Sequence, residues 1–168
     1  MTRKEMSEIF ALMLLAWPNA PMLRPENMEA TINLWTLCLP EVDSATGQMA
    51  MIQLCRTCHF PPSIAQMREA AEEVQKKLKE EINNAFLFIR NEHYYGKADP
   101  DRIKRTIAMM GGEEHLLIPI DENTSRYNFE EFRDTYRQIC QMETRQAIGD
   151  VQSVQALYPH EDDTGRTK

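Results

Sequence analysis

Cys55-Arg56-Thr57-Cys58-His59 is the stretch of this 168-residue chain whose residue types and spacing most directly suggest chemistry. It has the C-x-x-C-H pattern of covalent haem attachment, in which two thiols one helical turn apart add to the vinyl groups and the histidine ligates iron. That pattern is specific in an exported protein and weak elsewhere. Ile9 to Trp17 is apolar and follows Arg3 and Lys4, as in a signal peptide. However, Glu5 and Glu8 sit in the would-be basic region, and a cut after Ala20 would have Pro18 where a small residue is needed and Pro21 directly behind it. The expectation is therefore a cytoplasmic chain with Cys38, Cys55, Cys58 and Cys140 reduced. An exported c-type haem protein is kept as an alternative.

Other uses of the motif fit less well. Zinc needs four ligands, and Cys38 and Cys140 stand singly elsewhere. A redox dithiol belongs at a helix N-terminus, where the thiol pKa falls, whereas this pair falls near a helix end. The preferred reading makes Cys55 and Cys58 small apolar residues on a buried helix face and His59 a helix-end residue. The chain has no G-x-x-x-x-G-K-[ST] loop, G-x-S-x-G elbow or H-E-x-x-H pair. Its carboxylates fall on polar helix faces. We expect no enzyme, no cofactor and no metal.

Charge narrows the partners. The formal balance is −7, with −2 in residues 1–71 and −2 in residues 82–148. Autonomous nucleic-acid binding needs a basic face, and the one local basic cluster, Arg102, Lys104 and Arg105, reads as a solvated helix side. No apolar run reaches the ~18 residues of a membrane span. Eleven methionines supply adaptable packing.

The elements that position these residues can be read from caps and periods. Phe60-Pro61-Pro62-Ser63 organises the first half: the prolines stop any preceding helix, and Ser63 with Gln66 makes a capping box for a long helix. Ile64, Met67, Ala71, Val74, Leu78, Ile82, Ala85 and Ile89 form its apolar face. Upstream, Thr2 with Glu5 caps a helix bearing Met6, Ile9, Phe10, Met13, Leu14 and Trp17, ended by Pro18. Pro25 opens a second helix with Met28, Ile32, Trp35 and Leu39. A third starts after Asp43 or Ser44 and carries Met51, Leu54, Cys55 and Cys58. Burial of Trp17 and Trp35 should each contribute roughly 2–3 kcal/mol.

Glu72 to Glu81 has only Val74 and Leu78 as apolar residues, with Glu72–Lys76 and Glu73–Lys77 at i,i+4. It reads as an exposed helical spacer. Beyond it, Asp99-Pro100 starts a short helix with Ile103, Ile107 and Met110, stopped by Gly111-Gly112. Leu116 to Ile120, interrupted by Pro119, is either a helical turn or a lone extended piece. Asn128 with Glu131 caps a last helix carrying Phe129, Phe132, Tyr136, Ile139 and Cys140. From Gly149 the composition turns polar, reaching Pro159 and Glu161-Asp162-Asp163. The expected architecture is all-α: a compact four-helix lobe at 1–71, a charged helical spacer at 72–81, a smaller helical lobe at 82–148 and a disordered acidic tail at 149–168.

Three motifs in order over roughly residues 6–71 resemble the phage helicase loader-and-inhibitor family. They are Ala16-Trp17-Pro18-Asn19 after an amphipathic helix, Ala30-Thr31-Ile32-Asn33-Leu34-Trp35 in the second helix, and Phe60-Pro61-Pro62-Ser63-Ile64-Ala65 leading into Arg68-Glu69-Ala70. Trp17, Pro18, Trp35, Phe60, Pro61, Pro62 and Ser63 are thus the structural motif residues. The second lobe more loosely resembles the C-terminal half of related phage replisome proteins. Cys55, Cys58 and His59 depart from the family pattern.

The resemblance implies a non-enzymatic protein that binds the hexameric replicative helicase, holds it inhibited and delivers it to an origin bound by an initiator protein. It also implies that the C-terminal portion makes the helicase contact. Tyr94, Tyr95, Arg102, Arg105, Phe129, Phe132 and Tyr136 are the candidate contact residues, since hot spots favour aromatics and arginine. Core packing is the competing reading for the aromatics. Another phage adaptor, an anti-host or regulatory binding protein, is the alternative from outside this family.

Overall fold

Thr2 and Glu5 close a reciprocal capping box at the head of α1 (Arg3–Ala16), and the helix ends ahead of Pro18. The computed structural model describes residues 1–90, 98–120 and 125–157. Within them the chain is mostly helical. After a 3-10 turn at Pro21–Leu23, α2 (Pro25–Cys38) starts on proline, whose missing N–H costs nothing in the first turn. Asp43 caps α3 (Ser44–Thr57), accepting from the Thr46 backbone N–H at 3.0 Å and the Thr46 hydroxyl at 2.6 Å. α4 (Ile64–Arg90) begins behind Ser63, whose backbone N–H donates to Gln66 Oε1 at 2.8 Å.

α1, α2, α3 and the first turns of α4 enclose one core. Met6, Ile9, Phe10 and Met13 meet Trp35, Met51 and Met67, and the Phe10 and Trp35 rings pack edge-on at 5.3 Å. Gly47 lets α3 approach α1 closely: a Cβ there would sit 2.8 Å from Ile9 Cδ1, inside a buried contact. Trp35 is buried, as expected, but Trp17 is only half-buried, because it caps the end of α1 beside the Pro18 turn. Its burial therefore contributes less than a full tryptophan. Phe60 departs further, at 80% exposure, while Pro62 behind it is fully buried.

A second core gathers the other end of α4 with α5 (Pro100–Met109) and α6 (Phe129–Leu157). Asp99 Oδ1 caps α5 by accepting from the N–H groups of Asp101 and Arg102 at 3.0 and 3.1 Å. Gly111 and Gly112 follow it with φ of 102° and 120°, a region open to glycine, which turns the chain sharply. The Leu116 to Ile120 run resolves both ways. Glu113–Leu116 is a 3-10 turn, and β1 (Leu117–Pro119) is extended. It does not stand alone: β2 (Ser125–Tyr127) pairs with it antiparallel, Leu117 opposite Tyr127. Pro119 is tolerated because each strand of a two-stranded ribbon has a free edge.

The Glu72 to Glu81 stretch is more engaged than an exposed spacer. Glu73 takes Lys77 at 2.6 Å and also accepts from Gln53 of α3 at 3.1 Å. Val74 belongs to the first core and Leu78 packs against the second, so the two cores divide between them on one continuous helix.

The expected tail at 149 is also corrected. α6 runs on through Gly149 to Leu157, and residues 158–168, including Glu161 to Asp163, lie outside the described residues. Polar composition hides a helical segment, since Val151, Val154 and Leu157 keep a step of three and no breaker comes before Pro159. Ile148 packs against the first core and anchors this part of the helix. A Cβ at Gly149 would meet nothing within 4 Å. Gly149→Ala should therefore stabilise the end of α6 by about 0.5–1 kcal/mol. Amide exchange of the residues that follow would slow measurably, and unchanged exchange would show that these turns do not depend on helix propensity.

Candidate partner-binding surface

The expected contact residues separate into three groups. Phe132 and Tyr136 are fully buried, one helical turn apart on the inner face of α6. Phe132 lies 5.6 Å from Phe86 and 5.7 Å from Tyr136, ring centre to ring centre. They form the core of the second lobe and are out of a partner's reach, which corrects their expected contact role: an aromatic face on a terminal helix is needed to close this small core. Phe129 is half-buried at the edge of the same cluster, 4.7 Å from Phe86. Tyr94 and Tyr95 lie outside the described residues.

Arg102 departs from the solvated helix face expected of the basic cluster, whereas Arg105 remains exposed. Arg102 donates through Nη2 and Nε to Glu143 Oε2 of α6, at 2.8 and 3.1 Å, and through Nη1 to Glu81 Oε1 of α4. The Tyr136 hydroxyl donates to that same Glu81 oxygen at 2.8 Å, and the Arg102 guanidinium lies 5.7 Å from the Tyr136 ring centre. Arg105 completes the group on Glu143 Oε1. Three helices are thereby joined by one half-buried ionic knot.

Burial opposes the Arg102 charge, but the bonds to Glu143, the Tyr136 hydroxyl and the field of Glu81 outweigh it and raise its pKa. Burial and then the bond to Glu81 push the Tyr136 hydroxyl up. Burial likewise pushes the neighbouring Cys140 thiol up to about 11, so it stays protonated near neutrality. Sequence reasoning misses Glu81 and Glu143. Glu81 ends a run of surface-type charges and Glu143 sits among polar residues, so neither carries a local signal.

The cysteine motif splits where α3 ends. Cys55 is within the helix and Cys58 is its C-cap in extended conformation, and both pack half-buried on the first core. His59 is exposed beyond them. Burial, then the neighbouring Cys58, pushes the Cys55 thiol up, opposite to what a reactive thiolate needs. Among the described residues no group of three or more His, Cys, Asp or Glu side chains could hold a metal ion. No helix among them is long and apolar enough to cross a membrane.

Apolar side chains that remain exposed include Leu87 and Phe88 on α4, Leu117 and Ile120 at the ribbon, and Leu34 and Leu37 on α2. Trp17, Pro18, Pro21, Phe60 and Pro61 line a shallow cleft where the α1 and α3 ends meet. What the fold offers is thus surface for association, on an all-helical chain with two cores strung on one long helix.

Over its first lobe the chain is similar to a known phage protein family. Residues 1–68 match the family model for the N-terminal domain of the phage helicase loader/inhibitor gp39P, which bears out over the first lobe the resemblance carried by its Trp-Pro and Phe-Pro-Pro-Ser motifs. The remainder of the chain lies beyond that match. No curated protein and no solved structure matches the chain.

Proposed function

We propose that the chain binds a hexameric replicative helicase in the bacterial cytoplasm, restrains it, and hands it to an initiator-bound origin. The observation that carries this reading is the match of residues 1–68 to the helicase loader/inhibitor N-terminal domain. The second lobe supports it by adding a separately cored helical body with exposed apolar side chains at Leu87, Phe88, Leu117 and Ile120. The protein's part is preferential binding to one helicase state, and ATP turnover belongs to the helicase. The overall charge of −7 suits a protein partner better than direct DNA capture.

The test mixes the purified full-length chain with hexameric replicative helicases of candidate hosts. Co-sedimentation and suppression of DNA-stimulated ATP hydrolysis by one of them are expected. Adding the matching initiator and origin DNA should restore the ATPase and place helicase on the DNA. A panel in which no helicase co-sediments and none is slowed would sink the reading.

A further inference from the structure

On the side of α4 that faces α6, two adjoining depressions share Lys79 and Arg137 as common walls. The smaller, of about 280 Å³, adds Arg133, Asn83, Ile82 and Phe129. Helical spacing makes them one groove: Lys79 and Asn83 stand at i,i+4 on α4, and Phe129, Arg133 and Arg137 follow at successive steps of four on α6. Ile82 is fully buried, so the apolar surface left between the cationic edges is the half-buried Phe129 and, in the larger depression beside Asp43, the half-buried Leu78.

The cations here are largely uncommitted. Arg133 bonds its exposed neighbour Asp134 at 2.8 Å, a contact worth little in water. Arg137 lies in the field of Asp134, yet neither it nor Lys79 makes an ion pair or hydrogen bond among the described residues. The contrast is with Arg3, Arg68, Lys77, Arg102 and Arg105, all bonded to carboxylates of this chain.

We propose that this α4–α6 groove docks an acidic amphipathic helical segment of a protein partner, its carboxylates on Lys79, Arg133 and Arg137 and its apolar side on Phe129 and Leu78. The chemistry is that of charge-assisted hydrogen bonds around an apolar seam. A nucleic acid fits poorly, since a polyanion meets a chain of net charge −7 and only a short cationic edge. The proposal rests on the reading of the chain as a partner-binding protein and specifies the segment such a partner presents.

The probe is a fluorescein-labelled synthetic peptide of Glu and Leu with leucines at i, i+3, i+4 and i+7, titrated with the full-length chain in the absence of helicase. Saturable binding that weakens with salt is expected. Lys79→Glu/Arg137→Glu should weaken it about tenfold or more, while Lys4→Glu on α1 leaves it nearly unchanged. Circular dichroism checks that the variants fold. Equal binding of a Lys-for-Glu peptide, binding of single-stranded oligothymidylate alone, occupation of the groove by a second copy in sedimentation, or no binding overturns the proposal. Peptide binding without any helicase capture would leave the groove standing and remove the helicase reading, and helicase capture unaffected by the double change would do the reverse.

Discussion

Phe132→Ala is expected to destabilise the second core by about 3–5 kcal/mol, the cost of truncating a fully buried aromatic and leaving a cavity. Nothing nearby fills the space readily, because Phe86 and Tyr136 hold Phe132 from two sides at 5.6 and 5.7 Å. This core is small, with nine buried residues among those described against eighteen in the first, so a loss of that size exhausts most of its margin. Both tryptophans, Trp17 and Trp35, lie in the first lobe, and all five tyrosines lie at or beyond residue 94. Tryptophan fluorescence therefore reports the first core, and Tyr127 and Tyr136 make tyrosine fluorescence sensitive to the second. We expect the variant to lose tyrosine and far-ultraviolet dichroism signals at a lower temperature than tryptophan signal, a departure from two-state behaviour. Coincident curves for all three probes would mean that the two cores unfold as one unit across α4.

Arg102→Met should cost about 2–3 kcal/mol, mostly through what it leaves behind. Glu81 and Glu143 would lose their shared counter-charge, with only Arg105 and the Tyr136 hydroxyl remaining. Full burial would put the cost at the upper end of the usual range of about 3–5 kcal/mol. Here the side chains retain 22% exposure for Arg102, 34% for Glu81 and 29% for Glu143, so water relieves part of it. The instructive comparison is the double change Arg102→Met with Glu81→Gln in urea denaturation. It should recover a substantial share of the loss, since the variant no longer holds an unpaired carboxylate beside Tyr136. A double change no more stable than the single one would show that Arg102 acts through packing over the Tyr136 ring rather than through its charge.

Much of the fold is legible because its signals are local. Thr2 with Glu5, Asp43, Ser63 with Gln66, Asp99 with Pro100, and Asn128 with Glu131 all mark helix starts, and a cap satisfies orphan N–H groups two or three residues away. The apolar periods of α1 and α4 likewise point to the faces that Met6, Ile9, Met67 and Ala71 bury. The end of α6 escapes such a reading because its polar composition mimics disorder, although its helical step continues past Gly149. The β1–β2 pairing escapes it because a ribbon of three residues per strand carries too short a pattern to announce a partner.

The candidate surface is less legible than the fold, for a related reason. Phe132, Tyr136 and Arg102 have the side chains of interface hot spots, and type alone does not say whether such a group faces a partner or its own core. The sequence by itself determined where the helices start and the family likeness of the first lobe, since these depend on neighbours within a few turns. Only the tertiary structure decided that Glu81 and Glu143, far apart in the chain, converge on Arg102, and that Lys79 faces Arg137 across a groove. Those meetings depend on how α4 and α6 pack, and packing is set by the whole core rather than by any stretch of residues that surrounds one of the charges.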